Sequence, residues 1–298
     1  MARALVFGSL ISLSFPLYGT DFSVADGLFA KRSEGLFQAS LAKNEYRKLL
    51  PSLASDQEKI YAVGQMSRLD IYVGGMMPGL TQDQRNDALD DCIANVAQIA
   101  STKSQEYYYY YLSCIGIRGK QASVMQRLKY GLMMRNIQDE ALTSTRDAHG
   151  QLVGGYEAGG ILRVFSAVRA NPKAKPLGLY NAQEGVDYAN SALNTAKQRV
   201  HPYGELSGRD YFENYFYLAA AEVNLGIDKG DLGVVKQGQN TAVKALQKIS
   251  DLRDFGELPP GRDPETTHYE SELQGLQAAI GSCVNESDWK ACLSGKLN

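Results

Sequence analysis

Residues 159–249 constrain the fold most, because helical patterns are clearest there and two of them are separated by one short turn. Residues 215–226 are rich in small side chains, which allow a neighbouring helix to approach closely. A turn containing Gly and Asp follows, and residues 240–249 then place Ala242 and Ala245 on one side of a second helix. Such an antiparallel pair cannot bury its apolar face alone, so it stacks on similar pairs. The segment therefore predicts an all-α fold of stacked antiparallel helix hairpins.

The composition allows one large domain or two small ones. The chain has 298 residues, of which 44% are apolar, and this is ample for a sizeable core. The 31 basic and 33 acidic residues nearly cancel, and no basic block stands out. Because nucleic-acid-binding proteins usually carry a clear basic excess, we expect no nucleic-acid partner.

Periodicity along the rest of the chain predicts about eleven helices and no pair of clear strands. Ser55 and Glu58 have capping-box spacing, which predicts a helix start there. We also predict helices over residues 182–199 and 124–145. The second of these is expected to bury four apolar side chains, those of Leu128, Leu132, Met133 and Ile137.

Five consecutive tyrosines occupy residues 107–111. Tyrosine is a good strand former, so a strand is possible. The length of the segment and the helices on both sides favour a helix instead. Consecutive side chains on a helix point in every direction, so some of these rings belong to the core and others face solvent or a groove.

The first 19 residues are typical of an export signal. Arg3 is followed by an apolar stretch from Leu5 to Phe15, and Gly19 precedes a plausible cleavage point. The alternative is a buried N-terminal helix. There is no cysteine at the cleavage point, so a lipid anchor is not indicated. No later apolar run is long enough to span a membrane. We predict a periplasmic or secreted protein with one helical-repeat domain over residues 20–298.

The cysteines are placed symmetrically about two polar breaks. Cys92 and Cys114 flank residues 101–104, and Cys283 and Cys292 flank residues 285–288. Equal distance from a turn brings side chains on antiparallel helices to the same height. We therefore predict the disulfides Cys92–Cys114 and Cys283–Cys292, which fit an oxidising compartment. Four buried free thiols are the alternative.

Two resemblances follow from local motifs. Residues 218–226 read LAAAEVNLG, which resembles the first helix of a tetratricopeptide repeat. Residues 159–226 also resemble the periplasmic T component associated with TRAP-type transporters, through the motifs GGILR, NP, YANSAL, N and LA at positions 159–163, 171–172, 188–193, 214 and 218–219. This resemblance implies a helical accessory protein that associates with a solute-binding protein and encloses a ligand cleft. Members are commonly lipid-anchored, and this chain has no anchoring cysteine.

Arg163 is the first candidate for ligand or partner binding. It follows Gly159 and Gly160 near a helix N-terminus, where it could clamp a carboxylate. A structural ion pair that holds the glycine-rich turn is the alternative. Tyrosines could line a groove, since they offer large contact area with little entropy loss, or could fill contacts between helices. The candidates are Tyr107, Tyr108, Tyr111, Tyr211 and Tyr215.

Enzyme signatures are weak. The three histidines lie in or beside loops, none has the helical spacing of a metal site, and we expect no metal and no cofactor. Glu270-Ser271 followed by Gly275-Leu276-Gln277 resembles a lysozyme-like transglycosylase, in which Glu270 would be the general acid. The two elements lie too close together to build a substrate cleft, so this enzyme is a remote alternative and we predict no catalytic residue.

Three functions follow from these features. The first is an exported binding or scaffold protein that engages a protein partner such as a solute-binding protein. The second is a periplasmic protein whose helices enclose a small molecule or peptide, with Arg163 or several tyrosines pointing inward. The third is a lysozyme-like cell-wall enzyme.

Overall fold

The computed structural model describes residues 19–200, 203–259 and 261–297. The predicted export signal lies outside these residues, apart from Gly19, so its cleavage stays a prediction. Within the described chain there are twelve α-helices and one small β-ribbon, which confirms the all-α fold of packed helices. The elements are α1 (Ser23–Ala30), α2 (Leu36–Leu49), α3 (Asp56–Gly75), α4 (Gln82–Ala97), α5 (Gln105–Gln121), α6 (Val124–Ser144), α7 (Tyr156–Arg169), α8 (Ala182–Leu193), β1 (Gln198–Val200), β2 (Gly204–Leu206), α9 (Phe212–Lys229), α10 (Leu232–Asp254), α11 (Asp263–Cys283) and α12 (Trp289–Leu297).

Helices that follow one another in sequence pack side by side, except for α6 and α7, and α9 with α10 is the most extensive pair. Gly230 lies between them with φ 69°, a left-handed conformation that ends α9. Ala219 and Val223 on α9 pack in one apolar cluster with Ala242 and Ala245 on α10. The small side chains therefore form the contact that the sequence predicted for them.

Side chains at the helix starts satisfy backbone groups that the helices leave free. Ser55 Oγ accepts from Glu58 N at 3.2 Å, and Glu58 Oε2 accepts from Ser55 N at 3.0 Å. This is the capping box that the sequence predicted. Thr81 and Gln84 repeat the arrangement at the start of α4. Caps of this kind typically stabilise a helix by about 1 kcal/mol.

The helix predicted over residues 182–199 is too long. The structure ends α8 at Leu193, and residues 198–200 pair antiparallel with residues 204–206. Later parts of the chain donate hydrogen bonds to the backbone carbonyl groups that would accept helical hydrogen bonds if α8 continued. Gly208 N donates to Thr195 O at 2.9 Å, and Asn214 Nδ2 donates to Ala192 O at 3.4 Å. Tertiary contacts therefore replace the helical hydrogen bonds.

The predicted buried side of α6 is wrong for two of its four residues. Leu128 is 43% exposed and Leu132 is 50% exposed, whereas Met133 and Ile137 are partly buried. Val124 at 74% and Met125 at 82% are exposed beside them. The helix packs on α5, on residues 172–177 and slightly on α7, and these neighbours cover a different side.

Both predicted disulfides are present. Cys92 is joined to Cys114 between α4 and α5, with the Cα atoms 5.9 Å apart. Cys283 is joined to Cys292 between α11 and α12, with the Cα atoms 5.6 Å apart. None of the helices in the described part of the chain is both long enough and apolar enough to cross a membrane.

A buried ion pair joins the two ends of the chain. Arg32, which follows α1, is 1% exposed and its Nη2 donates to Glu265 Oε2 at 2.7 Å. The same nitrogen donates to the carbonyl of Gly261 at 2.7 Å. Arg32 and Glu265 are 233 residues apart in sequence, so this contact places α1 beside the start of α11.

Candidate functional site

Helix α7 begins with a turn of reversed handedness. Glu157, Ala158 and Gly159 have φ values of 54°, 48° and 88°, all in the left-handed region. This conformation costs a residue with a Cβ atom roughly 1–2 kcal/mol. Such strain persists only where the surroundings determine the backbone, and it concentrates at functional sites. The candidate functional site surrounds this turn.

The reversed turn directs the Glu157 side chain into the protein, where it is 3% exposed. Its carboxylate contacts Arg68 of α3 and lies 3.9 Å from Arg262 Nη1, just before α11. Tyr211 donates from its hydroxyl to Glu157 Oε2 at 2.7 Å. Three distant parts of the chain thus meet at one carboxylate.

A second buried carboxylate lies beside the first. Glu213 Oε1 accepts from Arg262 Nη2 at 2.5 Å and lies 3.9 Å from Arg163 Nη2. Burial alone would raise the pKa of Glu213, but the charges of Arg262 and Arg163 outweigh it and hold this pKa below its usual value. Glu213 is therefore ionised at neutral pH.

Arg163 completes what we call the buried charged centre: Arg68, Glu157, Arg163, Glu213 and Arg262. Arg163 Nη1 donates to Asn214 Oδ1 at 2.8 Å, and Nη2 lies 3.4 Å from the carbonyl of Glu157. The centre holds three arginines and two glutamates, a formal charge of 3 − 2 = +1.

Aromatic rings surround these guanidinium groups. The carbon at the centre of the Arg262 guanidinium lies 4.0 Å from the ring centroid of Tyr211, and that of Arg163 lies 5.1 Å from it. Tyr203 contacts Arg68 and Arg262 in the same way, at 5.2 Å and 5.5 Å. The negative faces of these rings attract cations, which offsets part of the cost of burying excess positive charge.

Two glycines allow the backbone to close around the centre. A Cβ atom at Gly159 would lie 2.7 Å from Ala192 Cα, and one at Gly160 would lie 2.6 Å from the ring of Tyr109. The start of α7 therefore sits directly against α8 and α5. Arg163 holds this glycine-rich turn by its contact with the Glu157 carbonyl. This contact agrees with the structural alternative for Arg163, in which its side chain holds the turn.

The tyrosines predicted to share a groove occupy three separate places. Tyr211 lies in the buried charged centre with Arg163. Tyr107 and Tyr111 stack on each other on α5, with ring centroids 5.6 Å apart. Tyr108, on the same helix, donates to Glu140 Oε2 of α6 at 2.8 Å; burial and this carboxylate raise the pKa of Tyr108 to about 12. Tyr108 thus makes a contact between helices.

Tyr215, one helical turn after Tyr211, makes contacts of its own. It stacks on Phe212 with ring centroids 6.3 Å apart, and Lys248 Nζ of α10 lies 5.7 Å from its centroid. The structure therefore places Arg163 beside Tyr211, and Tyr107 beside Tyr108 and Tyr111, but it shows no contact between these two groups of predicted binding residues. A role in binding stays a prediction for all of them.

Arg68, Glu157, Glu213 and Arg262 were missed by the sequence reasoning. A signal existed for Arg68, because residues 60–75 contain only two charged side chains, those of Arg68 and Asp70. A charge inside an apolar helix that is buried on nearly all sides needs an internal partner. The other three follow loop signals, and only tertiary structure identifies their partners.

A pocket of about 250 Å³ lies between α2, α3 and α4, away from the buried charged centre. Lys43 Nζ donates across it to Asp70 Oδ1 at 2.5 Å and Asp91 Oδ2 at 2.7 Å. Burial raises the pKa of Asp70 to about 6, although Lys43 opposes that shift. None of the predicted binding residues lines this pocket.

Glu270 has the wrong surroundings for a general acid. Arg253 donates to both of its carboxylate oxygens, at 3.0 Å and 2.6 Å, and this pairing lowers the pKa of Glu270. A general acid of a glycosidase needs the opposite shift. In residues 19–200, 203–259 and 261–297, no three His, Cys, Asp or Glu side chains are grouped so as to hold a metal ion.

The buried charged centre acts as a clamp on the helices that supply it. Its guanidinium groups contact carboxylates, an amide, a backbone carbonyl and tyrosine rings from within the chain. Its members come from α3, α7, α9 and the residue just before α11.

Comparison with protein-family models and with curated proteins found no match to this chain.

Proposed function

We propose that this chain is an exported helical-repeat protein that binds a protein partner and serves as a scaffold or accessory subunit. One observation carries the proposal: the first half of α6 exposes four large apolar side chains on one face. Contiguous apolar surface of this kind is typical of interaction sites rather than of solvated helices. The side chains are those of Val124, Met125, Leu128 and Leu132.

The charged groups of the candidate site, and Glu270, pair with other groups of the same chain. This pairing supports a binding role over a catalytic one. The buried charged centre clamps helices together, and Glu270 is paired with Arg253. Catalytic groups usually face a cleft in which a substrate can approach them. The pairing of Glu270 counts against the lysozyme-like alternative.

Export is part of the proposal. Two disulfides fit an oxidising compartment, where such bonds form and persist. The apolar start of the chain supports the same location. Residues 159–226 resemble the T component associated with TRAP-type transporters, and this resemblance implies a solute-binding protein as the periplasmic partner. The repeat-like motif at residues 218–226 agrees with a scaffold role.

A small-molecule or peptide ligand is the second candidate, and the 250 Å³ pocket favours it. Lys43, Asp70 and Asp91 would offer a small polar ligand both charges. Drug-sized ligands usually occupy pockets of roughly 300–1,000 Å³, so this volume suits only a small one. Calorimetry with a panel of small periplasmic solutes tests this candidate, and a ligand bound less tightly by Lys43→Met would support it.

Reciprocal affinity capture from the native envelope fraction tests the main proposal. We expect the mature chain to begin at Thr20, to carry both disulfides, and to be captured with one protein in a fixed ratio. The same protein, when tagged, should capture this chain. If the chain runs alone on size exclusion of that fraction and captures nothing reciprocally, the proposed function is wrong. Loss of wall-lytic activity in Glu270→Gln would favour the enzyme instead.

A further inference from the structure

The exposed apolar side chains of α6 form a continuous stripe. Val124, Leu128 and Leu132 are spaced four residues apart, which places them on one helical face, and Met125 lies beside them. The stripe extends from residue 124 to residue 132, eight rises of 1.5 Å each, a length of about 12 Å. We call this set the α6 stripe. It is long enough to contact two turns of another helix.

Within the described residues, no other helix covers the α6 stripe. Helix α6 lies on α5 and on residues 172–177, and its contact with α7 is slight. Stacked helical repeats bury such faces against the following unit, and an exposed terminal face is usually polar. The α6 stripe is instead apolar, so it has the composition of a covered face.

The charged side chains that α6 itself carries along the stripe have one sign. Residues 123–138 contain Arg127, Lys129 and Arg135 and no acidic residue. Arg135 lies 3.5 Å from the carbonyl of Leu177, which places it beside the segment 172–177 and its two lysines. The nearest acids on α6, Asp139 and Glu140, follow the stripe by two turns. A partner with acidic side chains around apolar ones would match this surface.

Protein fits the stripe better than lipid does. Helices that bind the membrane surface carry an apolar face along their length and commonly include Trp or Phe. The α6 stripe spans two turns and contains no aromatic residue. Methionine and leucine side chains adapt to the shape of an apolar protein surface. The observations thus favour a facing helix over a bilayer.

We propose that the α6 stripe docks an amphipathic helix of the partner protein, one that presents leucine-like side chains toward the stripe and glutamate or aspartate along its flanks. The inference rests on the proposed function, since it assigns the surface through which the partner is bound. Apolar contacts would supply affinity, and the basic flanks would select an acidic helix and fix its register.

A designed peptide tests the chemistry without knowledge of the natural partner. The probe is a labelled helical peptide of about 20 residues, long enough to be helical, with leucines on one face and glutamates beside them. Its counterpart carries lysines in place of the glutamates. By fluorescence anisotropy with the full chain, we expect the glutamate peptide to bind at least roughly tenfold more tightly, with a preference that weakens in high salt.

Variants of α6 provide the decisive comparison. Met125→Ser with Leu128→Ser should weaken binding of the glutamate peptide at least roughly tenfold, because it removes the apolar anchors. Lys129→Glu with Arg135→Glu should reverse the preference between the two peptides. Phe37→Ser and Phe255→Ser are matched controls, because these rings are 72% and 77% exposed and lie outside α6, and binding should be unchanged. Thermal unfolding must confirm that each variant folds.

Four results would overturn the proposal. They are equal binding of the two peptides, equal binding by the α6 variants, binding to phosphatidylglycerol vesicles that the α6 variants lose, and self-association of the wild-type chain that the variants lose. The last two would make a membrane or a second copy the occupant. Capture from the envelope fraction separates this inference from the proposed function. A partner retained by Met125→Ser with Leu128→Ser refutes the surface alone, whereas a chain with no partner refutes the proposed function.

Discussion

Two regions of this molecule reverse the usual distribution of side chains, and they do so in opposite ways. The buried charged centre places three arginines and two glutamates inside the protein, whereas the α6 stripe places four apolar side chains outside it. The fold explains the first region, since each carboxylate meets guanidinium groups from other helices. Nothing in the described chain covers the second. A buried charge or an exposed apolar side chain therefore indicates an external partner only where the fold supplies no partner from within the chain.

The largest expected effect is the loss of a carboxylate from the buried charged centre. Glu213→Gln leaves Arg262 and Arg163 facing a neutral group, and breaking a buried pair typically costs 3–5 kcal/mol of unfolding free energy. The pKa of Glu213 is lowered in the fold, so the stability that it contributes is present above its usual pKa and is lost at acid pH. Urea unfolding at pH 7.5 and pH 4 should show a smaller difference from the wild type at the lower pH.

Glu286→Gln is the matched control for that substitution. Glu286 is exposed beyond α11, so the same chemical change there should alter stability by less than roughly 0.5 kcal/mol. A loss below about 1 kcal/mol for Glu213→Gln would mean that the centre contributes little to stability. The contrast between the two regions would then fail.

Next in size is Gly159→Ala at the reversed turn. The left-handed backbone costs alanine roughly 1–2 kcal/mol, and the new methyl group meets Ala192 Cα at 2.7 Å. Overpacking adds about 1–3 kcal/mol. The control is Gly275→Ala, where an added Cβ meets nothing within 4 Å. That change in the interior of α11 should stabilise the protein by roughly 0.5–1 kcal/mol. Equal effects in thermal unfolding would show that the turn at residues 157–159 is unstrained.

An intermediate effect is expected at Asp70, a buried charge outside the centre. Its pKa rises from 3.8 to about 6 in the fold, so folding disfavours the ionised form, and wild-type stability falls as pH rises through this window. Asp70→Asn removes that penalty. Relative to wild type, the variant should therefore gain about 1–3 kcal/mol between pH 4 and pH 8. A gain that is independent of pH, measured by urea unfolding, would contradict the shift. Asp139→Asn on α6, where the side chain is exposed, is the control.

The smallest effect is expected on the α6 stripe. Met125 is 82% exposed, so Met125→Ser should change the unfolding free energy by less than about 0.5 kcal/mol. Met134 lies on the same helix but is 5% exposed. Its replacement by serine should cost roughly 2–5 kcal/mol, as large-to-small changes in a core do. If the two substitutions are equally destabilising in chemical unfolding, the stripe belongs to the core and is not a free surface.

Local chemistry made part of the fold predictable. The capping box of Ser55 and Glu58, the cysteine pairs and the helix α6 from residue 124 follow from short-range spacing, and the structure confirms them. The end of α8 was not predictable in the same way, because Gly208 and Asn214 supply the hydrogen bonds that stop it. Periodicity states which side chains share a helical face, and it does not state whether a neighbour will cover that face.

The candidate site was harder to predict for the same reason. Arg163 was identified from its place after two glycines, but its partners Glu213 and Asn214 lie 50 residues later (213 − 163) or more. The reversed turn at Glu157 contradicts local preference, since glutamate and alanine disfavour positive φ. Contacts with Arg68, Tyr211 and Asn214 help to hold it, and a single sequence does not reveal such contacts.

The ion pair between Arg32 and Glu265 has a consequence for biosynthesis. Its two members are 233 residues apart, so a ribosome must translate most of the chain before the bond can form. Until then, Arg32, just after α1, lacks its carboxylate partner, and the early segments lack one of the contacts that hold them. Translation that stops before codon 265 should therefore leave a nascent product sensitive to protease, even though it encodes ten of the twelve helices.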